Sequence, residues 1–317
     1  MEIAMTTMKA VRIHRFGGPE VLMLDDVPWP QPKDDEVLVR VHAASVNPVD
    51  YKIRAGSYTV KDDQLPYTLG RDLSGTVELL GTRAHTLKVG DPIFAFIGVD
   101  RGTYAEYAVV KAMEMAAKPE TIDHVQAAAV PLAGLTAWQG LFDHGQLQAG
   151  QRVLVHGGAG GVGHFAIQFA KAKGATVLTT ASGTDLDFVR ELGADEAIDY
   201  KADRFEDRAR DIDVVFDLVA GETQDRSWSV LKEGGILVST LGAPPAEKAE
   251  QHKVRAAGYR ARPNPAQLSE IGQLIDGGQV QVAVARTFAL ADAGAAQTYL
   301  EQEHVRGKVV LQVADKT

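Results

Sequence analysis

The stretch Val153-Leu154-Val155-His156-Gly157-Gly158-Ala159-Gly160-Gly161-Val162-Gly163-His164 decides the fold. It opens on a short strand-like run. A glycine cluster follows at once. Residues 164–173 then read as a helix, closed by Gly174 as a C-cap. Gly158, Gly160 and Gly163 fit the pattern G-x-G-x-x-G. Alone the pattern is weak. Between a buried strand and a helix, with a second strand at 175–180 behind it, it is a dinucleotide-binding fingerprint. Each glycine has an expected task. Gly158 permits the tight turn, Gly160 leaves room for a pyrophosphate, and Gly163 lets helix and strand pack closely. The helix N-terminus then offers unbonded N–H groups and a positive dipole end to phosphates.

Downstream, strands and helices alternate. Strands are expected at 152–156, 175–180 and 196–199, with helices at 162–173 and 185–192. The second half has strands at 213–217, 236–240 and 254–259 and a helix at 222–232. This alternation predicts a doubly wound parallel sheet, hence the α/β class. Upstream, 126–145 is alanine-rich and helical, bent or restarted at Pro131. Before that the chain reads as β-rich. Strands are expected at 9–14, 21–27, 36–44, 76–80, 92–96 and 103–110, with Gly and Pro between them. Val37, Val39 and Val41 share one face of the third. Short strands with turn signals predict a small barrel or sandwich. After a helix at 267–276, the tail reads as a strand at 280–284, a helix at 291–303 and a strand at 308–313. We expect this tail to rejoin the N-terminal β domain. The expected division is 1–122, 123–261 for the dinucleotide-binding domain, and 262–317 as the return segment. Chemistry is then expected in the cleft between the domains, at the C-terminal ends of the parallel strands.

Composition narrows the function. The chain has 317 residues, 24% charged, with a formal net charge of -9 and no basic run. That argues against nucleic acid or an anionic membrane surface as the main partner. It has no cysteine, which excludes disulfides, thiolate metal sites and a cysteine nucleophile. No apolar run approaches the ~20 residues of a membrane span. Residues 1–8 lack a basic segment followed by a long apolar core, so a cytoplasmic location is expected.

Further motifs carry a family resemblance over essentially the whole chain. They are Asn47-Pro-Val-Asp-Tyr-Lys-Ile-Arg-Ala-Gly56, Leu69-Gly-Arg-Asp-Leu-Ser-Gly75, Val89-Gly-Asp-Pro92, Gly102-Thr-Tyr-Ala-Glu-Tyr107, Pro131-Leu-Ala-Gly-Leu-Thr-Ala-Trp138, the glycine stretch, and Gly307-Lys-Val-Val-Leu311. With these the sequence resembles the zinc-independent medium-chain dehydrogenase/reductases, in the quinone oxidoreductase, zeta-crystallin-like and enone reductase branch. The resemblance implies a Rossmann domain beside a GroES-like β-barrel. It also implies NAD(P)H-dependent reduction of a quinone or an α,β-unsaturated carbonyl, and a homodimer built through the edge strand at 254–259. Zinc members place a Cys where Asn47 stands and a His-Glu pair where Arg71-Asp72 stands. His42 and His85 lack partners at ligand spacing, so no metal is expected.

Without a Lewis acid, the substrate oxygen must be polarised by hydrogen-bond donors as negative charge builds. Three donors stand near the Asn47 motif: Asn47, Tyr51 and Lys52. They are the catalytic candidates, Lys52 also for cofactor contact. Asp50 is expected to orient Arg54 or a turn. The resemblance carries over cofactor contacts to Thr136, Ala159, Gly160, Gly161, Val162, Ser182, Tyr200, Ala220, Leu241, Gly242, Tyr259, Arg260 and Lys308. His156 is expected to pack at the loop and His164 to be exposed. The second strand of the fingerprint ends Leu178-Thr-Thr-Ala-Ser-Gly183 without the carboxylate that holds the NAD ribose, which favours NADPH. Thr184-Asp185 stand where the family often has a cation. Two other readings are a crystallin-like nucleotide-binding protein without turnover and an alcohol dehydrogenase, the latter opposed by the missing zinc ligands.

Overall fold

The computed structural model describes residues 7–58, 60–84 and 86–314. His85 and residues 1–6 lie outside them. The described chain falls into two units. The first comprises the residues through Leu132, Pro263–Asp276 and those from Val284 on; the second comprises Ala133–Arg262 and Gly277–Ala283. Residues 123–132 thus stand with the first unit and 277–283 with the second.

In chain order the first unit contains β1 (Thr7–Ile13), β2 (Leu22–Pro28), β3 (Glu36–Val46), α1 (Pro48–Arg54), β4 (Tyr67–Thr68), β5 (Asp72–Leu80), β6 (Pro92–Phe96), β7 (Tyr107–Lys111), β8 (Met115–Ala117) and α2 (His124–Ala128). After α3 (Pro131–Trp138), the second unit runs β9 (Arg152–His156), α4 (Gly163–Ala172), β10 (Thr176–Ala181), α5 (Leu186–Glu191), β11 (Glu196–Asp199), β12 (Ile212–Asp217), α6 (Gly221–Ser227), β13 (Leu231–Ser239), α7 (Ala246–Gln251) and β14 (Arg255–Gly258). The chain closes on α8 (Pro265–Asp276), β15 (Val284–Ala289), α9 (Ala293–Gln302) and β16 (Lys308–Gln312).

β3 is the axis of the first unit. It pairs with β5, β7 and β16, all antiparallel, inside the order β15-β16-β3-β5-β6-β8. Val37, Val39 and Val41 pack with Leu73, Val77 and Ile93. Further along, Ala44 and Val46 pack instead with Val309 and Leu311. One strand therefore serves two apolar clusters, which is why it is buried nearly throughout. A small sheet, β2-β1-β4, completes the unit.

The second unit is the expected parallel sheet, in the order β11-β10-β9-β12-β13-β14. The order reverses between β9 and β12, which makes a crevice beyond the carboxyl ends of those two strands. The sheet is faced by Leu154, Leu178, Val215 and Leu237, among which Trp228 is fully buried.

Three readings are corrected. The strand expected at 280–284 begins only at Val284. At Gln281 the backbone is held by a side chain: its N–H donates to Gln168 Oε1 at 2.7 Å and its carbonyl accepts from Gln168 Nε2 at 3.0 Å. The helix expected to run to Gly145 widens at 139–144, where Gly145 N–H reaches Gly140 O at 2.9 Å. And α1 and α7 stand where no helix was expected.

Candidate functional site

The fingerprint loop joins β9 to α4, and its glycines divide the work differently from the sequence expectation. The left-handed turn is at Gly157, with φ 77°, one residue before Gly158. Gly158 is instead a packing glycine: a Cβ there would meet Thr179 Oγ1 at 2.0 Å. Gly163 is another, its Cβ position lying 2.2 Å from Gly157 O. Gly160 differs, since the only atom near its Cβ position is Gly157 O at 3.4 Å. The surface over Gly160 is open backbone. The N–H groups of Gly161 and Val162 have no acceptor among the described residues, and no side chain caps α4. Ala159 is buried while Gly160, Gly161 and Val162 are half-buried. This cradle fits a pyrophosphate, both in the room it leaves and in the donors it presents.

The facing turn, after β12, is held by one carboxylate. Asp217 Oδ1 accepts from the Val219 and Ala220 N–H groups at 3.0 and 2.9 Å. Its Oδ2 accepts from Gln224 Nε2 at 2.7 Å and Ser239 Oγ at 3.1 Å. The clamp keeps Ala220 at φ 64°, ψ -165°, a region that strains any residue with a Cβ. Asp217 was not anticipated from the sequence. The Asp-x-x-Ala spacing after a buried strand was the only signal.

Ser182 is buried at the tip of β10, and its Oγ donates to Asp185 Oδ2 at 2.7 Å. Asp185 is itself buried, so its carboxylate is spent inside the turn. Tyr200 is exposed, with Lys201 Nζ 5.8 Å from its ring centre. Leu241, Gly242 and Arg260 are exposed. The Tyr259 hydroxyl donates to the half-buried Thr136's carbonyl, and its ring stacks on His144 at 4.5 Å. His156 packs as expected, between Thr180 and Ser227. His164 does not: it is fully buried, with Nδ1 3.1 Å from Gly160 O.

The catalytic candidates belong to the first unit, where four strand ends meet. Ser45 is opposite Asp72, Asp72 opposite Phe96, and Val46 opposite Val309. Asn47 Oδ1 accepts from Lys308 Nζ at 2.5 Å, while its Nδ2 donates to Asp72 Oδ2 at 2.9 Å. Asp72 also accepts from Ser45 Oγ at 2.6 Å and the Leu132 N–H at 2.8 Å. Asn47, Asp72 and Lys308 are all buried. Burial lowers the Lys308 pKa and raises that of Asp72, each opposed by the other's charge. Both ends of the Asn47 amide are therefore engaged between a buried cation and a buried anion. Lys308 lies in this cluster, not at the surface where a strand-entry lysine usually sits.

Asp50 holds the backbone turn at Asn47, one of its two expected tasks, and does not orient Arg54. Its Oδ2 accepts from the Asn47 N–H at 2.8 Å and from the Tyr104 hydroxyl at 3.0 Å. Pro48 at the first position and this backward-reaching carboxylate start α1. Burial pushes Asp50 up to about 7, since its hydrogen bonds do not offset the loss of water. Arg54 pairs instead with Gln297 at 2.8 Å and Glu301 at 3.0 Å. On α1 itself Tyr51 is half-buried and Lys52 exposed. Burial, with Glu301 nearby, raises the Tyr51 hydroxyl.

A comparison with known proteins gives the context. Residues 33–120 match the alcohol dehydrogenase GroES-like domain, and residues 192–311 match the zinc-binding dehydrogenase family. The NADPH-dependent alkenal/one oxidoreductase, chloroplastic, of Arabidopsis thaliana is 38% identical, over 96% of this chain and 79% of its own. The chain belongs to the medium-chain dehydrogenase/reductase family, in its quinone oxidoreductase and alkenal/one oxidoreductase branch. Within that family, the quinone oxidoreductase of Coxiella burnetii superposes with a TM-score of 0.91 at 40% identity, covering 98% of this chain and all, 100%, of that one. The Escherichia coli quinone oxidoreductase, solved in complex with NADPH, superposes with a TM-score of 0.86 at 28% identity, covering 96% and 100%.

The zinc in the name of one matching family does not fit this donor set. Among the described residues no group of three His, Asp or Glu is placed to hold a metal. At the positions that resemble the ligand positions stand an amide, a guanidinium and one carboxylate, Asp72, which is already bonded to Ser45, Asn47 and the Leu132 N–H, and the Lys308 ammonium lies 2.5 Å from the amide oxygen. A dication would be repelled there. His42 stacks on His124 at 4.2 Å and reaches Thr76, with no third ligand among the described residues.

Proposed function

We propose that the protein is an NADPH-dependent reductase of quinones or α,β-unsaturated carbonyls that works without a metal. The open backbone at Gly160–Val162, at the strand-order reversal, carries this reading. Gly160 leaves the pyrophosphate room, and the Gly161 and Val162 N–H groups with the α4 dipole hold its charge. Ala220, Leu241 and Gly242 line later turns of the same sheet edge, and Thr136 with Tyr259 serve the nicotinamide end. NADPH, when bound, supplies the hydride.

The preference for NADPH over NADH rests on the buried state of Asp185. Its carboxylate is occupied by Ser182 and is not left to take a ribose hydroxyl. Tyr200, Lys201 and Arg204 follow β11 as a ring and two cations for the adenosine 2′-phosphate. On the substrate side, Tyr51 and Lys52 are the donors whose heads are not sealed in the core. Asn47 is a positioning residue that ties Lys308 to Asp72. The sequence expectation of Lys308 as a cofactor contact becomes a role as buried counter-charge.

Fluorescence titration with NADPH and NADH separates the cofactors. Tighter NADPH binding by about tenfold, 1.4 kcal/mol, is expected. Binding of neither, or NADPH binding without oxidation by any small enone or quinone, would overturn the reading. We further place the protein in the cytoplasm as a homodimer. β14 is the outer strand of its sheet, with an unpaired edge among the described residues, as pairing between copies would need. Imaging of a tagged chain tests the first, and light scattering the second.

A further inference from the structure

The polar cluster at the strand ends pairs its charges unequally. Lys308 and Asp72 answer each other through Asn47. Arg71, the residue before Asp72, has no such answer. It is only 7% exposed. Its Nε and Nη2 both donate to the single carbonyl of Ile97, at 3.0 and 2.7 Å, and the guanidinium carbon lies 5.3 Å from the centre of the Phe96 ring. It makes no ion pair: no carboxylate lies within 4.0 Å of it among the described residues. Nη1 has no hydrogen bond among the described residues, yet it is not among the buried polar atoms sealed without a partner. It therefore faces accessible space.

A guanidinium carries five N–H donors and one full charge, and cannot shed its proton. Burying that charge without an anion costs several kcal/mol. Asp50, which feels the Arg71 charge, spends its Oδ2 on the Asn47 N–H and the Tyr104 hydroxyl and makes no hydrogen bond to Arg71. With Lys308 and Asp72 engaged through Asn47, no carboxylate among the described residues pairs with Arg71. The missing partner is an anion.

We infer that Arg71 is a catalytic residue whose Nη1 donates to the substrate oxygen and holds the negative charge that develops there. This rests on the reductase reading above. Hydride adds to the β-carbon of the enone. The C=C pair becomes the bond between the α-carbon and the carbonyl carbon, and the carbonyl pair moves onto oxygen. That oxyanion is the partner Arg71 lacks. A proton from water then adds at the α-carbon, and the products are the saturated ketone and NADP⁺. For a quinone the same oxygen becomes the first hydroquinone oxyanion. Ile97 fixes the fork through two of its nitrogens and leaves the third for the ligand. A preorganised donor of this kind acts mainly on the transition state, where the charge is largest.

The test uses Arg71→Met and Arg71→Lys with two readouts. The first is turnover of a small enone with NADPH. The second is binding of 4-nitrophenol to the NADP⁺-loaded protein, read by the phenolate absorbance. For Arg71→Met we expect kcat to fall about 100-fold with NADPH affinity unchanged. The bound nitrophenol, a phenolate on the wild type, should stay protonated on that variant. Arg71→Lys keeps the charge without the fork and should keep the phenolate while losing part of kcat, which also covers the case in which the methionine variant fails to fold. Wild-type kcat in Arg71→Met, or equal phenolate binding by all three proteins, would overturn the inference while the reductase reading stands. A wild type that turns over no enone or quinone, but binds phenolate in an Arg71-dependent way, would overturn the reductase reading and leave the anion site.

Discussion

Asp50 is a carboxyl whose proton the fold retains. Its pKa rises from 3.8 to about 7 on burial. Between those values the native state binds more protons than the unfolded chain, so stability falls as pH rises through that window and is level above it. The loss is at most about 4 kcal/mol. Asp50→Asn carries no charge to bury. Its urea midpoint relative to wild type should therefore move in the variant's favour from pH 4 to pH 7, and a difference that does not change with pH would refute the assignment. Lys308→Met is expected to destabilise by about 3–5 kcal/mol, because it leaves Asp72 buried without its cation. Denaturant unfolding measures this; a loss below about 1 kcal/mol would mean that Asp72 takes up a proton at little cost. At this scale the sequence was only partly legible. Asn47 was recognisable from its motif, but not that its amide is enclosed on both sides. That depends on Lys308, 261 positions away. Such a contact leaves no mark in local spacing.

The strands and turns were more legible. The valine alternation at 37, 39 and 41 located β3, and the glycine fingerprint located β9 and α4, because both periods are local properties. The α1 helix was not recognised, since Asn47-Pro48 reads as a turn; the signal was Asp50, which closes a capping box on Asn47. The loop glycines give a paired prediction. Gly160→Ala meets nothing closer than 3.4 Å, so its melting temperature should be unchanged while NADPH affinity falls at least tenfold. Gly163→Ala places a methyl 2.2 Å from Gly157 O, so it should lose about 1–3 kcal/mol of stability as well. Calorimetry with a cofactor titration on both variants checks the contrast, and similar melting temperatures would refute it. Ala220→Gly removes the strain of φ 64° and should raise stability by about 1 kcal/mol while weakening NADPH binding through the loosened turn. An unchanged or lower melting temperature would show that Asp217 holds no strain there.

For the whole molecule, the β-then-α/β order and the return of the tail were readable, because composition and period both change near residue 125. The exact exchange of segments was not. Residues 277–283 belong to the second unit although they lie between two stretches of the first, and what places Gln281 is a side-chain pairing with Gln168. At this scale the edge strand makes its own prediction. A charge-reversing Arg255→Glu in β14, at a residue exposed in the single chain, should convert the proposed dimer to monomer in light scattering, and a wild-type monomer would remove the interface.

The position of β16 has a consequence for how the protein is made. β9 to β14 run uninterrupted from 152 to 258, so that sheet is complete as soon as its own stretch has left the ribosome. β3 is made early, yet one of its neighbours is β16, residues 308–312. At about 5–20 residues per second, β3 waits on the order of tens of seconds for that partner. During that interval Ala44 and Val46 lack Val309 and Leu311, and Asp72 lacks Lys308. The first unit to be synthesised is thus the last to be finished.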